Sequence, residues 1–201
     1  VAFPAKSSPT LSRAGPTDAV LVMAARTGED WAKEALFRRY APMINRLAYR
    51  LIGRDSDLDD LVQESFAEAL GSLSRIRNTE TFPSWVSAIV VRTANKLLRR
   101  RRLMVRLGLR DADPVDVEAF TSKSLPPDVA FELRVLYRLV ETMPTKLRTP
   151  LILRHVEDAS LDEIATLTGV SLATVKRRLV AGQTALNDAL ESAHGGRSAQ
   201  R

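Results

Sequence analysis

SLDEIATLTGVSLATVKRRL, residues 160–179, carries the signals of two helices crossing at a sharp turn. Ser160 and Glu163 have the spacing of a capping box, so a helix starts there. Ile164 and Leu167 point inward, and Ala165 is small where the next helix crosses closely. Gly169 sits at the turn, where a positive φ is often required. Ser171 caps the second helix, and Val175 and Leu179 lock it onto the first. This is the physical recipe of a helix-turn-helix.

The start of the second helix exposes Leu172, Ala173, Thr174, Lys176, Arg177 and Arg178, which are small or basic, and no acid follows before Asp188. A helix that enters the major groove by its N-terminal residues has this profile. An ordinary basic, solvated helix has it too. Further along, Gly182 weakens the helix by roughly 1 kcal/mol relative to Ala.

Outward from this motif, the 201 residues are 45% hydrophobic and only 5% aromatic, with a formal net charge of +6. Leu, Ala and Arg dominate, and these favour helix. The basic balance suits a polyanionic partner, and its distribution is more telling. Between residues 92 and 110 stand Arg92, Lys96, Arg99, Arg100, Arg101, Arg102, Arg106 and Arg110 with no acid. Asp111, Asp113, Asp116 and Glu118 follow with no base. Such segregation points to different surfaces for different partners.

There is no cysteine, so disulfides and thiolate metal sites are excluded, and a reducing cytoplasm, the expected location, is permitted though not proved by this. No apolar run approaches the roughly 20 residues of a membrane span, and Val1 to Pro16 lacks the apolar core of a secretory signal.

The expected fold is all-α: two small helical domains joined by a flexible linker. Residues 1–16 read as a disordered tail, 17–102 as the first domain, 103–126 as linker, 127–193 as the second domain and 194–201 as a flexible tail. Thr17-Asp18 caps a first short helix ending at Thr27-Gly28. A second runs from Glu29 to about Gly53, with Trp31, Ala35, Leu36, Ile44, Leu47, Ala48 and Leu51 on one side and a kink or break at Pro42. Ser56 or Asp57 caps a third, whose apolar repeat is Leu58, Leu61, Val62, Phe66, Leu70 and Leu73. After a polar loop, 74–81, a fourth helix starts near Phe82. Its stripe is Phe82, Trp85, Val86, Ile89, Val90 and Leu97; its other side carries Ser84, Arg92, Asn95, Lys96 and Arg99. In the second domain, Phe131, Val135, Leu136, Leu139 and Val140 form one stripe. Leu147, Leu151, Ile152 and Val156 form the next, and two short helices follow.

Residues 57–64, DLDDLVQE, place acids and an amide on the exposed side of an amphipathic helix. Acids in a first turn commonly serve only the helix dipole. In a basic DNA-binding chain, an acidic patch repels DNA and suits a second protein. No Walker loop, metal triad or nucleophile motif occurs, so no enzyme, cofactor or metal site is expected. His155 reads as structural, and His194 lies in the tail.

Three stretches together resemble the sigma factors of the extracytoplasmic-function type. DLDDLVQESFAEAL (57–70) looks like the polymerase-binding helix of sigma region two. FPSWVSAIVVRTANKLLRRRR (82–102) resembles the promoter-melting, minus-ten helix. MPTKLRTPLILRHVEDASLDEIATLTGVSLATVKRRL (143–179) is similar to sigma region four. Order and spacing match over roughly residues 17–190. The resemblance implies a factor that binds core RNA polymerase and directs promoter-specific initiation. By it, Asp59, Asp60, Gln63 and Glu64 contact the polymerase clamp. Arg77 and Asn78, in the 74–81 loop, and Arg92, Asn95, Lys96 and Arg99 meet minus-ten DNA, double-stranded or melted. Ser171, Ala173, Thr174, Lys176, Arg177 and Arg178 meet the minus-thirty-five element. An anti-sigma partner is a further expectation. The alternative is a helix-turn-helix regulator that binds a DNA operator without polymerase; it leaves the DLVQE helix unexplained.

Overall fold

The computed structural model describes residues 15–53, 56–109, 136, 138–140 and 142–198, with side chains as far as Glu191. Among these residues there are helices and no strands. The longer helices are α1 (Asp18–Arg26), α2 (Asp30–Ile52), α3 (Leu58–Gly71), α4 (Phe82–Arg106), α5 (Thr145–His155), α6 (Leu161–Thr168) and α7 (Leu172–Ser198). Phe131, Val135 and most of the expected linker lie outside the described residues.

In the first domain α2 packs against α1, α3 and α4. Its buried side is Ala32, Leu36, Tyr40, Ile44, Leu47, Ala48, Leu51 and Ile52. Trp31, expected on that side, is instead half exposed. The helix starts only at Asp30, and Ala32 takes the buried place in its first turn. Nor does Pro42 break the helix, which runs through it to Ile52. Proline inside a helix costs about 3 kcal/mol. Buried Leu36 and Tyr40 before it, and Ile44 and Leu47 after it, hold both halves on one core.

Thr17 caps α1 by accepting from the Val20 amide. Asp18 serves another purpose. Its carboxylate accepts from the Tyr40 hydroxyl and from Arg39 Nη1 at 2.5 Å, tying α1 to α2. Burial, then the Asp18 bond, pushes the Tyr40 phenol well above the usual tyrosine range. The Tyr40 ring also meets Phe82, which is fully buried, at 5.1 Å. Asp57 occupies the cap position of α3 but makes no side-chain capping bond. Its carboxylate accepts from Arg101 Nη2 at 2.5 Å, tying the start of α3 to the far end of α4.

Helix α4 continues to Arg106, past residue 102 where the linker was expected. In the second domain α5, α6 and α7 pack against one another. Val156, expected in an inward stripe, is 40% exposed, because it lies just past the end of α5. The last helix is not short: α7 spans 27 residues and includes 194–198, where a flexible tail was expected.

Candidate functional site

The three groups of residues singled out by sequence occupy three faces. On α3, Leu61, Val62, Ser65, Phe66 and Ala69 turn inward. Helical spacing therefore turns Asp59, Asp60, Gln63 and Glu64 outward, and all four are exposed. Asp59 and Asp60 lie in the first turn, where the helix dipole favours them.

Beside this acidic face runs a basic one. Arg92, Lys96 and Arg99 recur at four and three residues on α4 and are all exposed. The two faces touch: Lys96 Nζ lies 3.3 Å from Glu64 Oε1, and Arg92 Nη2 lies 3.4 Å from Glu68 Oε1. Asn95 departs from the expected open face. It is half-buried, and its Oδ1 accepts from Thr149 Oγ1, on α5, at 2.6 Å.

Consecutive residues on a helix are about 100° apart, so an arginine run cannot face one way. Arg99 Nε donates to the carbonyl of Asn95, Arg101 pairs with Asp57, and Arg102 donates to the carbonyl of Thr142 in the second domain. Arg100 is exposed. Burial, then the neighbouring Arg106 charge, pulls the Arg102 guanidinium below its ordinary pKa.

The 74–81 segment, expected as a polar loop, contains regular structure. Short 3-10 helices at Leu73–Arg75 and Thr79–Thr81 bracket it, and Leu73 and Ile76 are buried. Asn78 Oδ1 accepts from the Glu80 amide at 3.0 Å, and its carbonyl accepts from Thr81 Oγ1 at 2.7 Å. Arg26, at the end of α1, donates through Nε to the Leu73 carbonyl at 2.9 Å and through Nη2 to the Ile76 carbonyl. Sequence reasoning missed this residue. Arg26 and Ile76 are 50 positions apart, and no periodicity links them. Arg77 and Asn78 are exposed at the tip.

The third face stands apart on α7, and its local geometry follows the sequence closely. The capping box is complete: the Ser160 amide donates to Glu163 Oε2 at 2.8 Å, and the Glu163 amide donates to Ser160 Oγ at 3.2 Å. These bonds hold the Glu163 carboxyl below its usual range. Gly169 has φ +67°, in the left-handed region that the turn requires. Ile164 and Val175 are fully buried, and Leu167 and Leu179 pack beside them. Ser171 Oγ accepts from the Thr174 amide at 3.3 Å and caps α7. Ala173, Lys176 and Arg177 are exposed, while Thr174 and Arg178 are half-buried. Arg177 Nη2 donates to Thr174 Oγ1 at 3.3 Å, which steadies the guanidinium over the helix start.

Comparison with known proteins matches two regions of the chain. Residues 36–103 match the family Sigma-70 region 2, and residues 133–184 match Sigma-70, region 4. The RNA polymerase sigma factor SigV of Bacillus subtilis (strain 168) is 36% identical over 134 residues, covering 67% of this chain and 76% of that protein. The ECF RNA polymerase sigma-E factor of Salmonella typhimurium (strain LT2) is 30% identical over 185 residues, covering 87% of this chain and 95% of that protein. Two solved structures share the fold. The sigma factor RpoE bound to the anti-sigma factor NepR, from Bartonella quintana, has a TM-score of 0.60 at 17% identity, covering 79% of this chain and 96% of that one. CnrH bound to the cytosolic domain of CnrY has a TM-score of 0.58 at 20% identity, covering 87% and 97%. With region 2 ending in the basic helix α4 and region 4 ending in the helix-turn-helix, the chain belongs to the sigma-70 family as an extracytoplasmic-function sigma factor, which directs promoter-specific transcription initiation by RNA polymerase.

Proposed function

We propose a division of labour among the three faces of this sigma factor. Asp59, Asp60, Gln63 and Glu64 dock on basic side chains of core polymerase. Arg77 and Asn78 at the loop tip, with Arg92, Asn95, Lys96 and Arg99 on α4, engage minus-ten DNA. Ser171, Ala173, Thr174, Lys176, Arg177 and Arg178 engage the minus-thirty-five element, with Arg177 the candidate for a base edge and Lys176 for phosphate. The chain itself performs no catalysis and acts in the cytoplasm, where its polymerase is. An inhibitory partner of the anti-sigma kind is part of this reading, supported by the partners named for the two similar structures.

The observation that carries the reading is the exposure of both charged faces, side by side on α3 and α4. An acidic face repels DNA and attracts a basic protein surface, while its basic neighbour does the reverse. The decisive experiment is run-off transcription with core polymerase, paired with pull-down of core. The double variant Asp59→Ala, Gln63→Ala stays folded and loses core binding. The double variant Lys176→Ala, Arg177→Ala keeps core binding and loses promoters that depend on the minus-thirty-five element. Normal core binding by the first variant refutes the docking assignment.

A further inference from the structure

Helix α1 precedes the residues that match Sigma-70 region 2, and the division above gives it no task. It packs on α2 and on both short helices that bracket the 73–81 loop. Each of those 3-10 helices is three residues long. Turns of this kind have poor hydrogen-bond geometry and hold weakly by themselves. Support has to come from outside the loop, and α1 reaches it at both ends.

At the start of the loop the support is Arg26, which is half-buried. A basic residue in the last turn of a helix serves the dipole by its charge alone. The Arg26 guanidinium does more: it crosses to the loop, where Nε donates to the Leu73 carbonyl at 2.9 Å and Nη2 donates to the Ile76 carbonyl. The Leu73 carbonyl also accepts from the Ile76 amide at 3.1 Å. A charged donor thus secures the same turn from behind, and such bonds are roughly twice as strong as neutral ones.

At the end of the loop the support runs from the other terminus of α1. The Asp18 carboxylate accepts from the Tyr40 hydroxyl, and the Tyr40 ring meets Phe82 at 5.1 Å. Phe82 is fully buried; its amide donates to the Thr79 carbonyl, closing the second 3-10 helix where α4 begins. Between these two anchors Arg77 and Asn78 stand exposed.

We propose that α1 is a brace that sets the shape of the minus-ten loop. Arg26, and Asp18 acting through Tyr40, are positioning residues, because a recognition group has to be held within about 0.5 Å of its productive place. The brace rests on the assignment of the loop to minus-ten DNA made above.

The test uses full-length Arg26→Ala, Arg26→Lys, Tyr40→Phe and Arg77→Ala. Run-off transcription with core polymerase is read from promoters changed at one minus-ten base at a time. A merely structural loss weakens all of them alike and leaves the ratio of preferred to altered promoter unchanged. Arg26→Ala should lower that ratio by about fivefold or more at the position the loop reads, and Arg26→Lys, which keeps a charged donor, should restore most of it. An unchanged ratio in Arg26→Ala, with a lowered one in Arg77→Ala, overturns the brace. An unchanged ratio in Arg77→Ala refutes the loop assignment, and the part of α1 in reading DNA falls with it. Hydrogen exchange on the free chain tests the brace without DNA. Arg26→Ala should speed exchange of the Arg75 and Ile76 amides by about fivefold or more, with α3 and α4 unaltered. Tyr40→Phe keeps the ring on Phe82 and removes only the tie to Asp18. It should do the same to the Thr81 and Phe82 amides, and it carries both readouts if Arg26→Ala unfolds. Wild-type exchange in both variants overturns the brace.

Discussion

Lys96 and Glu64 face each other at 3.3 Å across α4 and α3, so a cation assigned to DNA rests on an acid assigned to polymerase. Both side chains are largely exposed, at 76% and 58%. A pair of this kind contributes about 0–1 kcal/mol to folding, so its functional consequence outweighs its structural one. By the assignments proposed above, engagement of Glu64 by core polymerase would take away the counter-charge of Lys96 and leave it to phosphate.

Glu64→Gln is therefore expected to leave thermal unfolding almost unchanged, within about 0.5 kcal/mol, while weakening core binding. Lys96→Ala should bind core normally and lower the salt slope of promoter binding by about one ion. Calorimetry, core pull-down and a salt titration of the polymerase–promoter complex read these effects separately. An unaltered salt slope removes Lys96 from the DNA interface.

Arg26→Ala should loosen the 73–81 loop. It removes two bonds from a charged donor to the Leu73 and Ile76 carbonyls, a loss of about 1.5–3 kcal/mol for such groups. The expected phenotype is weaker use of minus-ten DNA with normal minus-thirty-five discrimination, since the loop packs on α1, α3 and α4. Promoters varied at one element at a time check this, and equal losses at both elements contradict it.

The capping box of α6 makes region 4 sensitive to acid. Bonding to Ser160 lowers the Glu163 pKa in the folded protein. A depressed carboxylate contributes stability in full above its ordinary range, and loses it as pH falls through the lowered folded value. Glu163→Gln keeps an acceptor for the Ser160 amide without the titration. The difference in Tm between wild type and Glu163→Gln should shrink as pH drops below the usual glutamate range. Ser160→Ala should cost about 1 kcal/mol at neutral pH. A pH-independent Tm difference contradicts the linkage.

Gly182 is buried where α7 crosses α5, and an added Cβ would lie 2.9 Å from Leu151 Cδ1 and 3.1 Å from its Cγ. Gly182→Ala gains about 1 kcal/mol of helix propensity, while overpacking typically costs about 1–3 kcal/mol. The substitution is expected to be net destabilising by about 1 kcal/mol. In the double variant with Leu151→Ala the clash is absent, so the two effects should be non-additive in a denaturation cycle. A stabilising Gly182→Ala in the wild-type background refutes the close crossing.

What residues 160–179 determined by themselves was local. A capping box, a left-handed glycine and an N-cap serine act within a few residues, so their geometry is written in their spacing. The helical periods of α3 and α4 likewise placed the acidic and basic faces, because a helix turns each side chain by a constant angle. Propensity was a poor guide wherever distant chain intervened. Pro42 stays inside α2 because a shared core holds both halves of the helix, and Gly182 lies where the Leu151 side chain approaches from another helix. Arg26 belongs to the 73–81 loop, and Asn95 to Thr149, through bonds spanning 50 and 54 positions. Only the tertiary structure decides such pairs, because each depends on how close two helices come, and no spacing along the sequence encodes that distance.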